Sequence, residues 1–224
     1  MPIEFLTDEQ AGKYGQFAGV PSRAQLERFF FFLNDADLAL IEQRGRDHNR
    51  LGFGVQLGTV RFLGMFLADP LDVPEEVIGY VADQLKIDDR SNMHAYGERE
   101  KTTYEHAWEI RRAYGYREFV ELETELRGFL VARAWTTTDG PQALFDRATS
   151  WLIEHKVLLP GVTVLARMVT AVRVEASERL WQQLTDHIGP ELRRRLDGVL
   201  NLEDGSRFST LECLRTSSPA GWCA

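Results

Sequence analysis

The chain has 224 residues, of which 44% are hydrophobic and 11% aromatic, and its formal net charge is -8. This apolar content excludes an intrinsically disordered chain, and the length suffices for one large domain or roughly two to three small ones. The N-terminus has no basic and apolar leader and no apolar run approaches a membrane span, so we expect a soluble cytosolic protein without membrane partners.

Helix signals dominate the N-terminal part. Capping residues precede apolar residues at helical spacing, and the predicted starts are Thr7, Ser22 with its capping-box partner Gln25, Asn34, and Pro74. The spacing extends the second helix to Leu33 and the fourth to about Lys86. Residues 44–47 predict a turn after the third helix.

Residues 51–57 are ambiguous from the pattern alone. Apolar residues alternate there with Gly52, Gly54 and Gln56, which is typical of a strand. Leu51 and Val55 also share one helical face, and the flanking segments are helical. Strand and helix both remain open.

Beyond a polar stretch at residues 88–92, the chain predicts long helices from Arg99 onwards. The first runs through Tyr104, Trp108 and Ile110 to Tyr114, and Gly115 ends it. Further helices are predicted around residues 119–130, 144–152, 163–180 and 191–196, separated by breaks at 136–141, 158–161 and Gly189.

These signals predict an all-α, multi-helical fold with tandem helix-turn-helix-like units and no substantial sheet. We expect a first helical domain over residues 1–88, with a helix-turn-helix near 35–64, and a second over residues 89–216. Residues 217–224 predict an unstructured tail.

The sequence motifs for nucleotide binding, nucleophilic catalysis and metal binding are absent from the chain. The glycines from Gly52 to Gly58 do not have dinucleotide-binding spacing, and no G-x-S-x-G occurs. The histidines form no i, i+4 pair, and Cys213 and Cys223 make no metal or redox spacing. The sequence therefore predicts no metal site, no cofactor and no catalytic residue.

The turn at residues 44–47, with the segment that follows from His48, is the first of three basic turns that are candidates for DNA contact. The N-terminal residues of a recognition helix contact base edges, arginine can bind guanine, and asparagine can bind adenine. The candidate residues of this unit are Arg44, Arg46, His48, Asn49, Arg50, Gln56 and Arg61. A solvent-exposed loop between core helices is the alternative.

The other two basic turns surround the breaks at Gly115 and at residues 158–161. Around Gly115 the candidates are Arg111, Arg112, Tyr114, Tyr116 and Arg117, which interleave basic and aromatic groups. The third set is Lys156, Thr163, which can cap the next helix, Arg167 and Arg173. Helix C-cap chemistry and surface arginines on an amphipathic helix are the alternatives.

Segments in these same places resemble the N-terminal region of Tn-3 family transposases. In the family's order they are Phe29–Leu33, Asp37–Ile41, Asn49–Leu57, Val81–Leu85, Glu109–Arg117, Arg133–Trp135 and Val157–Thr163. The resemblance extends from about Leu26 to Arg215. It implies that residues 51–57 are helical.

The resemblance also implies a function. The family's N-terminal region recognises the terminal inverted repeats of the transposon, and a C-terminal nuclease-like domain, with three acidic residues that hold divalent metal, cuts DNA. Nothing in this chain matches that domain, so we expect binding to double-stranded transposon ends without cutting, on the bacterial nucleoid. Residues 218–224 depart from the family, which favours a truncated or frameshifted gene over a chosen domain boundary.

Two function hypotheses follow. The first is a DNA-end-binding module, and it requires a set of arginines to share one exposed face although the chain is acidic overall: Arg44, Arg46, Arg50, Arg111 and Arg117. The second is a protein-interaction or assembly module, or a truncated regulator, that self-associates or pairs with a full-length transposase. The net charge of -8 favours the second hypothesis.

Overall fold

The computed structural model describes residues 5–31, 35–90, 93–98, 100–201 and 209–212. Within these ranges the chain is helical, and the β-type pairing found there is one parallel bridge between Arg117 and Val157. The predicted all-α class is therefore confirmed. No helix in the described ranges is both long enough and apolar enough to cross a membrane.

The helices follow one another in the order that the capping signals predict. In chain order they are α1 (Asp8–Gly12), α2 (Arg23–Phe29), α3 (Asp35–Glu42), α4 (Asp47–Leu63), α5 (Glu75–Leu85), α6 (Met93–Gly97), α7 (Glu100–Tyr114), α8 (Phe119–Thr136), α9 (Pro141–Glu154), α10 (Val162–Asp186) and α11 (Pro190–Leu200). The capping boxes at Thr7 and Ser22 are both formed. Helix α6 was not predicted, and α11 is longer than predicted.

The ambiguous segment 51–57 lies inside α4, which is the central helix of the first core. Every residue of α4 from Leu51 to Val60 is buried, and α2, α3, α5, α6 and α7 all contact it. Because Gly52 and Gly58 have no side chain, the rings of Tyr96 and Phe30 can pack directly against the backbone of α4. A Cβ on Gly52 would lie 2.3 Å from Tyr96 Cδ1, and one on Gly58 would lie 2.1 Å from Phe30 Cδ1.

A second core forms where α8, α9 and the first part of α10 meet. Leucines spaced by four residues on α8, Leu122, Leu126 and Leu130, are fully buried there, together with Leu152 and Val169. This spacing places them on one face of the helix, as the sequence predicts. The backbone N–H of Leu159 donates to Gly64 O at the end of α4, at 2.9 Å.

Two compact units are present, residues 1–173 and residues 174–224. Both cores belong to the larger unit. The first core includes Tyr96 and Ile110, which lie beyond the predicted boundary at residue 88; the division at that position stays a prediction. Several predicted features lie outside the described residues: Leu33, Asn34, Asn92, Arg99, the two cysteines and the tail 217–224.

In the smaller unit, large apolar side chains on α10 and α11 are exposed to solvent. They are Val174, Leu180, Trp181, Leu184, Leu192, Leu196 and Leu200. Soluble monomers seldom expose a large contiguous apolar patch without a binding role.

His106 is a polar side chain inside the first core. It is 6% exposed, its Nδ1 shares a 2.9 Å hydrogen bond with the Tyr96 hydroxyl, and its ring lies 5.2 Å from that of Phe53. Burial and the positive charge of Arg44 lower the pKa of His106 from 6.5 to about 4, against a smaller opposing effect of Glu109. The imidazole is therefore neutral in the folded protein at neutral pH.

We expect the free energy of unfolding to fall by about 3 kcal/mol as the pH drops from 6.5 to about 4, because the unfolded chain then binds a proton that folded His106 rejects. Urea unfolding at several pH values measures this effect. A His106→Phe variant should lose that part of the pH dependence. Equal slopes in the two proteins over this pH range would contradict the assignment.

Candidate nucleic-acid interface

The first predicted turn does join two helices, α3 and α4, but Arg44 is engaged inside the protein. Its guanidinium donates to both carboxylate oxygens of Glu109, at 2.8 and 2.5 Å, and to Leu40 O at 3.1 Å. Its Cζ also lies 4.7 Å from the centre of the Phe53 ring. A guanidinium held in this way is not free to bind phosphate. Arg44 instead connects the turn between α3 and α4 to Glu109 on α7.

Arg61 and Tyr114, also predicted to contact DNA, form a network with Asp37. Arg61 donates two hydrogen bonds of 2.8 Å to the Asp37 carboxylate, and the Tyr114 hydroxyl donates a third of 2.5 Å. Burial favours a raised pKa for Asp37, but the hydrogen bonds from Arg61 and Tyr114 outweigh it and lower that pKa. These side chains hold α3, α4 and α7 together, and their contact with DNA stays a prediction.

The body of α4 cannot lie in a DNA groove, because it is buried on all sides. Gln56, a predicted DNA contact, is 6% exposed and donates to Thr103 O at 3.3 Å. Residues 51–60 are therefore closed to a duplex, and the accessible parts of α4 lie at its two ends. A DNA contact by the 35–64 unit stays a prediction.

At the N-terminal end of α4, Arg46 is exposed and forms no ion pair with the described residues. Arg50 is one-quarter exposed, donates to Asp47 at 3.0 Å, and approaches Leu85 O at 3.5 Å. His48 Nε2 and Asn49 Oδ1 are buried and lack a hydrogen-bond partner in the described part of the chain. Of the candidates in this unit, Arg46 is the most available to a ligand.

The second and third basic turns, far apart in sequence, lie side by side. The Arg117 N–H donates to Lys156 O, and the Leu158 N–H donates to Arg117 O, both at 2.9 Å. Each turn begins at a helix end closed by a residue with positive φ, Gly115 at 68° and Lys156 at 53°. We call residues 114–118 and 155–158 the paired turns.

Three exposed cations lie on or next to the paired turns. Lys156 Nζ donates to Tyr114 O at 3.3 Å, and an Arg117 Nη donates to His155 O at 3.4 Å. Arg112 Cζ lies 4.9 Å from the centre of the Trp108 ring. None of the three forms a salt bridge with the described residues. They differ in this from Arg111, which pairs with Glu118.

The remaining candidates do not join this cluster. Tyr116 is half-buried against the first core, and burial raises the pKa of its phenol. Helix α10 begins at Val162, so Thr163 lies within its first turn and is not the N-cap predicted. Arg167 and Arg173 are exposed on α10 but lie about 120° apart around its axis, so they do not share one face.

The structure thus separates the predicted residues. The five arginines that the DNA hypothesis placed on one face do not form one free set, because Arg44, Arg50 and Arg111 are ion-paired. Tyr104 and Trp108, which were not among the predicted contacts, have exposed rings on α7. Among the described residues, no group of three His, Cys, Asp or Glu side chains could hold a metal ion.

Comparison with known proteins gives consistent matches. Residues 5–172 match the family described as "Domain of unknown function (DUF4158)". The chain is 41% identical over 217 residues to the transposase for transposon gamma-delta of Escherichia coli (strain K12), a match that covers 96% of the chain and 22% of that protein. It is 35% identical over 211 residues to the transposase for transposon Tn501 of Pseudomonas aeruginosa, covering 92% of the chain and 21% of that protein.

A third relative is the transposase for transposon Tn1546 of Enterococcus faecium, with 28% identity over 203 residues, 91% of the chain and 20% of that protein. The chain therefore spans about a fifth of the length of the curated relatives it matches.

Proposed function

The chain belongs to the DUF4158 family and is related to Tn-3 family transposases, and from this premise we propose that it is a DNA-binding part of a replicative transposase. In this proposal it binds the terminal inverted repeats of a transposon as double-stranded DNA. Strand cutting, with its divalent metal, belongs in the proposal to another region of such transposases.

The observation that supports the proposal is the set of exposed cations at the paired turns. Arg112, Arg117 and Lys156 come from three different helix ends or turns, and the main-chain bridge between Arg117 and Val157 keeps two of them adjacent. Cations without an acidic partner are the groups that bind phosphate and release counterions. Arg46, at the start of α4, is a further candidate contact.

The acidic total is compatible with this interface because affinity for phosphate depends on the local charge. Arg112, Arg117 and Lys156 form no salt bridge with the described residues, so their charges are not cancelled by a directly bound carboxylate. Interactions between exposed charges are screened beyond about 8–10 Å at physiological salt. A local cluster can therefore attract a duplex although the formal charge of the chain is -8.

We expect a triple Arg112→Ala/Arg117→Ala/Lys156→Ala variant to bind its target duplex about 10- to 1000-fold more weakly. Its affinity should also depend less on salt: the slope of log K against log salt concentration should become shallower by about one for each lost phosphate contact. The target is found by selecting bound duplexes from a random-sequence library. Affinities are then measured by fluorescence anisotropy over a salt series.

The matched control removes three exposed cations elsewhere, Lys13→Ala, Arg23→Ala and Arg147→Ala. It should bind as the unaltered chain does. If no sequence is enriched from the library, recognition of inverted repeats is wrong. If both triple variants lose the same affinity, the paired turns are not the interface.

A second candidate function is favoured by the exposed apolar side chains of α10 and α11, among them Trp181 and Leu184. These suit a protein-interaction module that self-associates or pairs with a full-length transposase. This function requires an oligomer in light scattering that Trp181→Lys and Leu184→Lys dissociate. It also requires that DNA affinity be absent or insensitive to salt.

A further inference from the structure

A row of exposed side chains runs along α7, and it consists of two aromatic rings between two cations. Lys101, Tyr104, Trp108 and Arg112 follow one another at intervals of three, four and four residues, which places them on one stripe of the helix about 16 Å long. Tyr104 is 71% exposed and Trp108 is 48% exposed. We call these four residues the α7 stripe.

The α7 stripe is not part of the core. His106 and Ile110, which are 6% and 0% exposed, occupy the opposite side of α7 and anchor it to α4. Tyrosine and tryptophan side chains are usually buried to a large extent, so two adjacent exposed rings on a well-anchored helix indicate a binding surface.

The charges around the stripe favour a polyanion as its ligand. Arg112 lies over the Trp108 ring, with Cζ 4.9 Å from the ring centre, and forms no ion pair with the described residues. Two acids on α7 are engaged in ion pairs, Glu105 with Lys101 at 3.8 Å and Glu109 with Arg44, whereas Arg112 is left to a ligand.

The stripe is also continuous with the paired turns. Arg112 lies in the last turn of α7, and Lys156 donates to Tyr114 O at the end of the same helix. A strand that contacts Arg117 and Lys156 can therefore continue along α7 over Trp108 and Tyr104.

We propose that the α7 stripe binds single-stranded DNA, with Tyr104 and Trp108 stacking on unpaired bases and Arg112 contacting a flanking phosphate. In a duplex the faces of the bases are covered by their neighbours, whereas an unpaired strand offers them to exposed rings. Stacking of this kind is independent of sequence, because every base has a planar face. The inference goes beyond the proposed function, which concerns duplex repeats.

The test measures binding of a labelled oligothymidylate strand and of a mixed-sequence duplex to the full chain by fluorescence anisotropy. Tyr104→Ala/Trp108→Ala should bind the strand at least about tenfold more weakly than the unaltered chain. Trp108→Phe, which keeps an aromatic face, should retain most of the affinity. Trp135→Ala, which removes a tryptophan that is 45% exposed on α8, is the matched control and should not change binding.

Circular dichroism establishes that each variant is folded, which is expected because the two rings are exposed. The proposal is overturned if the double variant binds the strand as tightly as the unaltered chain. It is also overturned if the double variant binds the duplex more weakly but the strand as before. The same holds if the unaltered chain has no salt-sensitive affinity for the strand. Because the strand carries no inverted repeat, these results are independent of the library selection that tests the proposed function.

Discussion

Replacing Asp37 with alanine is expected to lower the free energy of unfolding by about 3–5 kcal/mol, which is a large part of the stability of a domain of this size. The carboxylate is 3% exposed and accepts two hydrogen bonds from Arg61 and one from Tyr114. Its removal takes from the partly buried Arg61 guanidinium the carboxylate that accepts two of its hydrogen bonds. Chemical unfolding at neutral pH measures the loss.

The matched control is Asp35→Ala, since Asp35 lies on the same helix but is exposed. It should cost less than about 1 kcal/mol. The double variant Asp37→Ala/Arg61→Met should recover part of the lost free energy of unfolding, because it removes the Arg61 guanidinium together with the Asp37 carboxylate. If Asp37→Ala and Asp35→Ala unfold at the same denaturant concentration, the network does not stabilise the fold.

The second large effect is expected from filling the two glycine positions on α4. Gly52→Ala/Gly58→Ala should destabilise the chain by about 5 kcal/mol, because each added methyl group meets a buried ring at a distance that real side chains do not adopt. The rings are those of Tyr96 and Phe30, both 0% exposed, so neither can move without opening the first core. Thermal unfolding followed by circular dichroism measures the change.

Gly128→Ala provides the control for the double glycine variant. Gly128 lies inside α8, and a Cβ built there meets nothing within 4 Å. Alanine has the higher helix propensity, so this variant should be more stable by about 0.5–1 kcal/mol. A double variant on α4 that is as stable as the unaltered chain would show that the helix packs less closely than described.

Much of the fold could be predicted from local patterns. Capping residues, proline and glycine located most helix ends, because these signals act within a few residues of the helix that they start or stop. The alternation of apolar residues with glycine and glutamine in residues 51–57 is typical of a strand, yet the segment is helical. Residues 51–60 of α4 are buried on all sides, so this part of the helix has no polar face from which its period could be recognised. Its glycines, which looked like strand or loop signals, serve close packing.

The candidate site could be predicted only in part, because the partner of a charge is a tertiary property. Arg44 pairs with a carboxylate 65 residues away, and Arg61 with one 24 residues away. A run of arginines near a turn looks alike in sequence whether its members face solvent or a distant acid. The bridge between Arg117 and Val157 is likewise invisible to local patterns.

Exposed aromatic residues on α7 were missed for a related reason. Sequence periodicity treats a ring at helical spacing as a core residue, and Tyr104 and Trp108 have that spacing. Ile110 on one side of α7 belongs to the first core, whereas Tyr104 and Trp108 on the other side are exposed. The cations that flank these two rings, Lys101 and Arg112, were the available signal.

The bridge that joins the paired turns consists of main-chain atoms, so it does not depend on which side chains the turns carry. Substitutions at Arg117 or Lys156 can alter charge, length or hydrogen bonding while the separation of the two backbones is retained. The surface that the paired turns present can therefore change from one sequence to another while the helices beneath it keep their positions.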